Sequence, residues 1–437
     1  MALWAVGFFL FTQKAGALAP PDDGDRIPDV FVDLGEGDRV QRAVLVDKSA
    51  QSLFLYEFDG KLSRRLSFQC STGEAAGDKK VAGDKKTPEG IYFFIRKHPR
   101  HDLTPIYGSY AFPMDYPNFL DRASGKTGSA IWLHGTNKPI EPMDSNGCVA
   151  LANPDIEALS DYITLGRTPA AIVEKISYVP AEELARRKSA AARFLSRWAA
   201  SISGSAYHDY LEFYDPAYAP DIRWWNTWNA IRNFLGAGPA AFEMGMKNRV
   251  ILKHKDIYTV TFDLFFKIDG VSVPIGFKKL FLSEKSGALK IVGDVYGHEE
   301  KKSASDENPL LPAARRVRKI AAAASEKKNI AGMIDQWIRA WSQKDIRRYG
   351  GFYAGDFKSG RMDKKKWLRH KESLNLKYAY IRVSKDRLDV KVGGDRAEAD
   401  FVQTYESPLY RAVGKKKLVL KREGTGWKIY REIWEAL

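Results

Sequence analysis

Cysteine is nearly absent from this 437-residue chain. It has two, Cys70 and Cys148, which excludes a disulfide-stapled scaffold and a cysteine-rich zinc site. No apolar run reaches the ~18 residues needed to span a bilayer, which excludes a multi-pass membrane protein. The seven histidines show no metal-ligand spacing, so no metal and no cofactor is expected. Acidic side chains are in deficit: 54 Asp and Glu against 69 Lys and Arg leave a formal charge of +15. That sign favours anionic partners such as nucleic acid, anionic lipid or a carboxylate-bearing polymer. What is present is a globular composition, 44% hydrophobic, 12% aromatic and 28% charged. At roughly 100–200 residues per domain, two to four domains are expected.

The first residues bear on the compartment. Leu3 to Phe11 is apolar and too short to span a membrane. Lys14, the small-residue stretch Ala15 to Ala19 and Pro20-Pro21 follow. This reads as a signal peptide over residues 1–19 with an A-x-A cleavage site, although no Lys or Arg precedes the apolar core. The competing reading is a buried N-terminal helix. Export to the periplasm or cell envelope is the expectation. It fits the scarcity of thiols and sets nucleic acid aside as a partner.

Residues 20–40, rich in Pro, Gly and Asp, read as an extended lead-in. Residues 41–178 read as a mostly β domain. Period-two runs occur at Ala43–Val46, Ser52–Tyr56 and Leu66–Cys70, with a hairpin turn at Gly60-Lys61. Strand signals return at Gly90–Ile95, Ala130–Leu133 and Ala170–Ile176. Asn153-Pro154-Asp155 reads as a helix start with Asn153 as N-cap and Pro154 at the first position.

The remainder is a tandem repeat. A shift of 139 superimposes Trp198 on Trp337, Tyr210 on Tyr349, Phe213 on Phe352, Tyr214 on Tyr353 and Trp228 on Trp367. A shift of 138 superimposes Lys278-Lys279-Leu280 on Lys416-Lys417-Leu418 and Lys290-Ile291 on Lys428-Ile429. A period this long means two copies of a domain, 181–298 and 313–437, joined by a charged linker at 299–312. Each copy has helical periodicity first and alternating strands after it, which indicates α+β. That order resembles the NTF2-like (SnoaL-like) cone. Trp224, Trp225 and Trp228 are expected to pack in the core rather than line a glycan pocket. The lysine runs Lys364–Lys366 and Lys415–Lys417 read as solvated faces that can touch an anionic envelope surface.

One constellation carries chemistry. His134-Gly135-Thr136 ends a strand, and fourteen residues after His134 comes Cys148 in Ser145-Asn146-Gly147-Cys148-Val149. A nucleophilic cysteine needs a base, an oxyanion site and a turn that exposes sulfur. Gly147 permits the turn and the Ser145-to-Cys148 backbone offers N–H groups. These motifs, with Cys70-Ser71-Thr72-Gly73 and Thr87-Pro88-Glu89-Gly90-Ile91-Tyr92, resemble the L,D-transpeptidase (YkuD) family. The stretch Asp115-Tyr116-Pro117-Asn118 and Ile131-Trp132-Leu133-His134-Gly135 looks like its Gram-negative branch, which includes cell-shape L,D-carboxypeptidases with NTF2-like C-terminal domains.

By that resemblance Cys148 is the nucleophile and His134 the general base. Ser145, Asn146, Gly147, Gly135 and Thr136 would supply the oxyanion site and positioning. A backbone carbonyl or a hydroxyl, Thr136 and Ser145 being candidates, would orient the His134 ring. The family acts on peptidoglycan stem peptides. The thiolate attacks a diaminopimelate carbonyl and expels D-alanine. The acyl group then passes to water, or to an amine in cross-linking, exchange or protein attachment. The architecture favours water. Two positions depart from the usual pattern. Asn146 stands where many members have histidine, and Ala150 where many have Arg or Asn. Another cation must then meet the substrate carboxylate, and Lys79, Lys80, Lys85, Lys86 and Lys138 are the candidates. The alternative is a non-catalytic wall-binding or scaffolding protein with a degenerate site. Cys70 reads as a buried strand residue, although the resemblance places its strand end near the site, where a disulfide to Cys148 would silence the enzyme. The two C-terminal domains, which lack cysteine, are expected to position the enzyme on the wall.

Overall fold

The computed structural model describes residues 26–35, 40–204, 206–236, 242–268, 270–284, 287–297 and 310–437. The expected signal peptide and residues 299–309 of the expected linker lie outside the described residues. The last linker residues, Leu310 to Pro312, are helical and open the second repeat's first helix. The chain divides into two compact units. The first comprises residues up to 230 together with 243–267 and 272–313. The second comprises 314–437 with 231–242 and 268–271.

The lead-in is extended but paired. Strand β1 (Arg26–Pro28) and β2 (Phe31–Asp33) precede the two sheets of the mostly β region, which begin with β3 (Gln41–Asp47), β4 (Ser52–Phe58) and β5 (Leu62–Gln69). The β4–β5 pair forms the expected hairpin. The chain continues through β6 (Gly90–Phe93), β7 (His98–Pro99), β8 (Tyr110–Pro113), helix α1 (Phe119–Ala123), β9 (Trp132–Thr136) and β10 (Val149–Ala152). It then runs through helix α2 (Asn153–Ser160), β11 (Pro169–Val173) and β12 (Tyr178–Pro180). One sheet has the order β5-β4-β3-β11-β6 and the other β10-β9-β8-β7. Their shared core includes Val44, Leu53, Phe112, Leu133, Leu151 and Ile172, all at 2% exposure or less. Alternating apolar residues on both sheets supply this core, as the period-two pattern requires.

One local expectation is corrected. Ala152, not Asn153, is the N-cap of α2, and Asn153 and Pro154 occupy the first turn. The Asn153 side chain is used elsewhere: its Oδ1 accepts from Ser109 N at 2.9 Å and its Nδ2 donates to Asn137 Oδ1 at 2.8 Å. It thus ties the entry of β8 to the loop after β9.

The first repeat follows with α3 (Ala181–Gly204), α4 (Tyr207–Leu211), α5 (Ile222–Gly236), β13 (Phe242–His254), β14 (Ile257–Ile268), β15 (Val271–Ser283) and β16 (Lys290–Tyr296). Its sheet runs β16-β15-β14-β13-β2, so the N-terminal β2 completes it. Ile251 pairs with Asp33 and Leu252 with Phe31. Val30, Phe31 and Leu252 share one hydrophobic core with Leu45, Ile91, Phe93 and Val173 of the β5-β4-β3-β11-β6 sheet. Trp224, Trp225 and Trp228 are buried, and Trp228 stacks on Phe266 at 5.2 Å.

The second repeat has α6 (Leu310–Ser342), α7 (Ile346–Gly351), β17 (Tyr353–Ser359), β18 (Met362–Asp363), α8 (Lys364–Lys377), β19 (Arg382–Gly393), β20 (Arg396–Ser407), β21 (Tyr410–Glu423) and β22 (Gly426–Ala436). The repeat read from sequence has a physical basis. In the first copy the Tyr214 hydroxyl accepts from Trp198 Nε1, meets Tyr210, and donates to Asp294, whose other oxygen pairs with Lys278. In the second the Tyr353 hydroxyl accepts from Trp337 Nε1 and meets Tyr349 and Glu432, which pairs with Lys416. The same two offsets, 139 and 138, relate all five positions. Both copies bulge at matching places, Phe281/Leu282 and Val419/Leu420. A buried network of this kind must satisfy every member, which accounts for the recurrence of Trp, Tyr, Tyr, a carboxylate and Lys at these positions. Lys416 therefore points into the core and is not part of a solvated face.

Candidate active site

His134 and Cys148 arrive by adjacent strands. β9 and β10 run parallel with Leu133 beside Val149 and His134 beside Ala150, so Cys148 enters β10 next to the strand that carries His134. Both line a cleft of ≈ 480 Å³ together with Tyr107, Lys138, Glu141 and Asp144. Tyr107, in a short 3-10 turn (Pro105–Tyr107), sets its ring at 90° to the His134 imidazole with centroids 5.1 Å apart. Nothing in the sequence marks Tyr107, because its partner is 27 residues away.

The imidazole tautomer follows from its contacts. His134 Nδ1 lies 2.7 Å from Gly135 O. A carbonyl only accepts, so Nδ1 carries the proton and Nε2 keeps its lone pair. The orienting group is thus the carbonyl of Gly135, not Thr136 or Ser145. Thr136 Oγ1 accepts instead from Lys138 N at 3.1 Å. Burial pushes the His134 pKa below its usual value, and the bond to Gly135 only partly opposes this. Burial likewise pushes the Cys148 thiol up, while the Trp132 backbone N–H and the Lys79 charge pull it down. Both effects favour a neutral thiol and a neutral imidazole at rest. The thiol donates to Ala130 O at 3.6 Å.

The turn before Cys148 is tightly constrained. Gly147 has φ +117, and a Cβ there would come within 2.7 Å of Lys86 O, so only glycine fits. Ser145 Oγ accepts from Gly147 N at 3.1 Å and donates to Cys148 O at 2.7 Å. Ser145 N donates to Thr72 O. Thr87, fully buried, donates from Oγ1 to Gly147 O at 3.0 Å and accepts from Gly73 N at 2.8 Å. The CSTG and TPEG segments therefore clamp the turn before Cys148 from outside.

The five candidate lysines separate. Lys79 is buried and its Nζ pairs with Asp84 at 2.6 Å. Asp84 also accepts from the backbone N–H groups of Lys80, Val81 and Lys86. Partial burial pushes the Asp84 carboxyl up, but these four bonds together outweigh it and hold the group well below the usual carboxylate range. The segment 77–86, in which the tetrad Gly-Asp-Lys-Lys occurs twice, is thus a folded turn organised by Asp84. Lys80 lies exposed in that turn and Lys85 pairs with Glu74 at its surface. Lys86 is half-buried, and its backbone carbonyl is what faces Gly147. Of the five, Lys138 alone lines the cleft among the described residues. Cys70 is fully buried and unbonded to another sulfur, and burial pushes its thiol up to about 12, which keeps it an inert core residue. Among the described residues no cluster of His, Cys, Asp or Glu is arranged to hold a metal.

Comparison with known proteins places two regions of the chain. Residues 41–172 match the family model of the YkuD L,D-transpeptidase catalytic domain, and residues 329–433 that of the Cds6 C-terminal NTF2-like domain. The chain is 31% identical over 124 residues to "Putative L,D-transpeptidase YafK" of Escherichia coli K12, across 28% of this chain and 46% of that protein. The chain therefore spans about half the length of the curated relatives it matches. Among solved structures, Bd1075 of Bdellovibrio bacteriovorus is 22% identical over 94% of this chain and 99% of its own, with a TM-score of 0.34. The helical cell shape determining protein Pgp2 of Campylobacter jejuni is 26% identical over 61% of this chain and 96% of its own, with a TM-score of 0.48. The chain thus carries an L,D-transpeptidase catalytic domain followed, at its C-terminal end, by an NTF2-like domain.

Proposed function

We propose that this protein is an exported, peptidoglycan-modifying cysteine enzyme that acts on stem tetrapeptides through Cys148 and His134. The observation that supports the reading is the cleft that His134 and Cys148 line together, with His134 Nδ1 bonded to Gly135 O so that Nε2 is left for proton transfer. Nε2 takes the Sγ proton as sulfur attacks the diaminopimelate carbonyl. The N–H groups of Asn146 and Cys148 remain for the oxyanion, because those of Ser145 and Gly147 are already bonded. The imidazolium returns the proton to the departing amine of D-alanine, which leaves a thioester on Cys148. Water, deprotonated by Nε2, then hydrolyses the thioester, or an amine captures it. Hydrolysis, an L,D-carboxypeptidase outcome, is the favoured fate by architecture. Lys138, on the cleft rim, takes the place of the cation missing at Ala150.

The test is turnover of purified tetrapeptide muropeptides. Wild type is expected to release D-alanine. Cys148→Ala and His134→Ala should each lose several powers of ten in rate with an unchanged near-ultraviolet circular dichroism spectrum. Near-normal turnover by the Cys148→Ala protein overturns the mechanism. A folded wild type that neither turns over nor is acylated at Cys148 by a carbapenem is the result expected of a non-catalytic scaffold.

A further inference from the structure

We infer that the α+β repeat adjoining the catalytic domain (residues 181–297) is a positioning module of the catalytic centre, with Lys279 and Lys255 holding the two loops that flank Cys148. The inference rests on the reading of Cys148 as nucleophile. It runs against the expectation that both C-terminal domains only dock the enzyme.

The first loop is the excursion between β8 and β9. Its neck is closed by Met114 N donating to Ile131 O. Its far end carries Ala130, in the left-handed region with φ +58, whose carbonyl accepts from the Cys148 thiol. The Trp132 N–H, which favours the thiolate, follows two residues later. At the near end Asp115 accepts from Phe93 N through Oδ1 at 2.7 Å. Its Oδ2 is paired with Lys279 Nζ from β15 at 2.8 Å, and the two side chains are only 2% and 1% exposed. Lys279 Nζ also lies 4.1 Å from the Phe93 ring centroid. The same module grips the excursion again at α1. Phe119 stacks on Phe281 at 6.0 Å and meets Tyr218 edge-on at 5.6 Å. A Cβ at Gly293 would come within 2.6 Å of the Phe119 ring, so the module's surface is cut to receive it.

The second loop carries the TPEG segment. Lys255, at the turn between β13 and β14, places Nζ 3.1 Å from Glu89 Oε2, while Lys48 holds Oε1 at 3.1 Å. Glu89 is two residues after Thr87, whose hydroxyl binds the Gly147 carbonyl. One cation of the module therefore reaches the sulfur's acceptor side through Asp115, and another reaches the backbone of the nucleophile turn through Glu89. The coupling is physical: each link is a hydrogen bond or a short covalent stretch within a packed region. A small misplacement of reacting groups by a distant change can cost orders of magnitude in rate. By contrast, a patch of cations that merely gathered wall polymer would be solvated. Lys279 is buried against Asp115, and Lys255, itself largely exposed, is paired with a Glu89 carboxylate that is only 7% exposed.

The experiment uses the full chain in three variants. Lys255→Glu reverses a charge on a side chain that is 62% exposed, so folding is not at risk. Lys255→Arg is its conservative partner. Lys279→Met with Asp115→Asn removes both charges of the buried pair together, leaving no unpaired ion. The readouts are kcat and KM on a small tetrapeptide, and the pH profile of Cys148 alkylation by iodoacetamide. Lys255→Glu should lower kcat about tenfold with KM within about twofold, and shift or slow the alkylation profile. Lys255→Arg should stay near wild type. The double variant, where folded, should lose at least as much as Lys255→Glu. Should it not fold, Lys255→Glu decides alone. Unchanged kcat and alkylation in Lys255→Glu overturns the inference. So does a rise in KM at constant kcat, which would make Lys255 a substrate contact. Alkylation needs no substrate. A wild type without turnover therefore refutes the proposed reaction and still leaves the positioning role open to measurement.

Discussion

Thr87→Val is the sharpest single test of how the turn before Cys148 is held. The replacement keeps the shape and removes the one hydroxyl that serves two buried backbone groups. Thr87 is 0% exposed, its Oγ1 donates to Gly147 O at 3.0 Å, and it accepts from Gly73 N at 2.8 Å. Water does not reach the position, so both groups lose their partner outright. An unsatisfied buried polar group costs about 1–3 kcal/mol, and two of them cost about 2–6 kcal/mol locally. Global unfolding is a poor readout in a chain of several domains, where a single unfolding free energy is not well defined. Hydrogen exchange of the peptide containing Gly73 reads the local effect directly. A loss of about 1–3 kcal/mol of protection speeds exchange of the Gly73 amide roughly 5- to 150-fold. Gly147 loses its outer clamp at the same time, so acylation of Cys148 by a carbapenem should slow by about 10- to 100-fold. Thr87→Ser keeps the hydroxyl and should retain both properties to within a few-fold. Gly73 exchange unchanged in Thr87→Val, with acylation within twofold of wild type, would refute the clamp.

Other outcomes follow from the same geometry. His134 is pushed below 6.5 and Cys148 above 9.0, so the reactive form, free imidazole with thiol, spans the range between. A kcat/KM profile should show its acid limb below pH 6.5 and its alkaline limb above pH 9, and a limb falling near pH 7.5 would contradict this pairing. Lys138→Gln should lose about 10- to 100-fold on a substrate with a free terminal carboxylate and far less on its amidated analogue, while Lys80→Gln and Lys85→Gln stay within threefold. In the second unit Lys371 lies between Trp341 and Trp367, 3.8 and 4.4 Å from their ring centroids, and burial lowers its pKa to about 7, opposed by Glu432 and aided by Lys416. Between pH 7 and 10.5 the unfolded chain keeps that proton and the folded one releases it, so stability rises with pH by at most ~1.4 kcal/mol per unit. Hydrogen-exchange protection of the peptide containing Trp341, corrected for the intrinsic pH dependence of exchange, should rise between pH 7.5 and 9.5 in the wild type and not in Lys371→Met; equal slopes in both proteins would show that Lys371 does not titrate there.

The candidate nucleophile, the candidate base and the repeated C-terminal architecture are all legible in the amino-acid order alone. Cys148, His134 and Gly147 stand out because a reactive turn needs particular residue types at short spacing, and Gly147 must be glycine for its φ alone. The repeat stands out because a buried Trp–Tyr–Tyr–carboxylate–Lys network needs each member's hydrogen bond satisfied, and Trp198, Tyr214 and Lys278 recur as Trp337, Tyr353 and Lys416. Which of five lysines faces the cleft emerges only from the folded chain, because charge in a sequence carries no direction: Asp84 turns Lys79 inward, while Lys138 stays on the rim. The same holds for the ring orienter, which is a neighbouring carbonyl that every residue possesses. It holds also for the partners that lie far along the chain. Asp115 and Lys279 are 164 residues apart, and β2 completes a sheet whose next strand begins at Phe242. Local spacing encodes what one turn or one strand must be. Contacts closed over long loops depend on where the whole chain packs, and no short-range pattern records them.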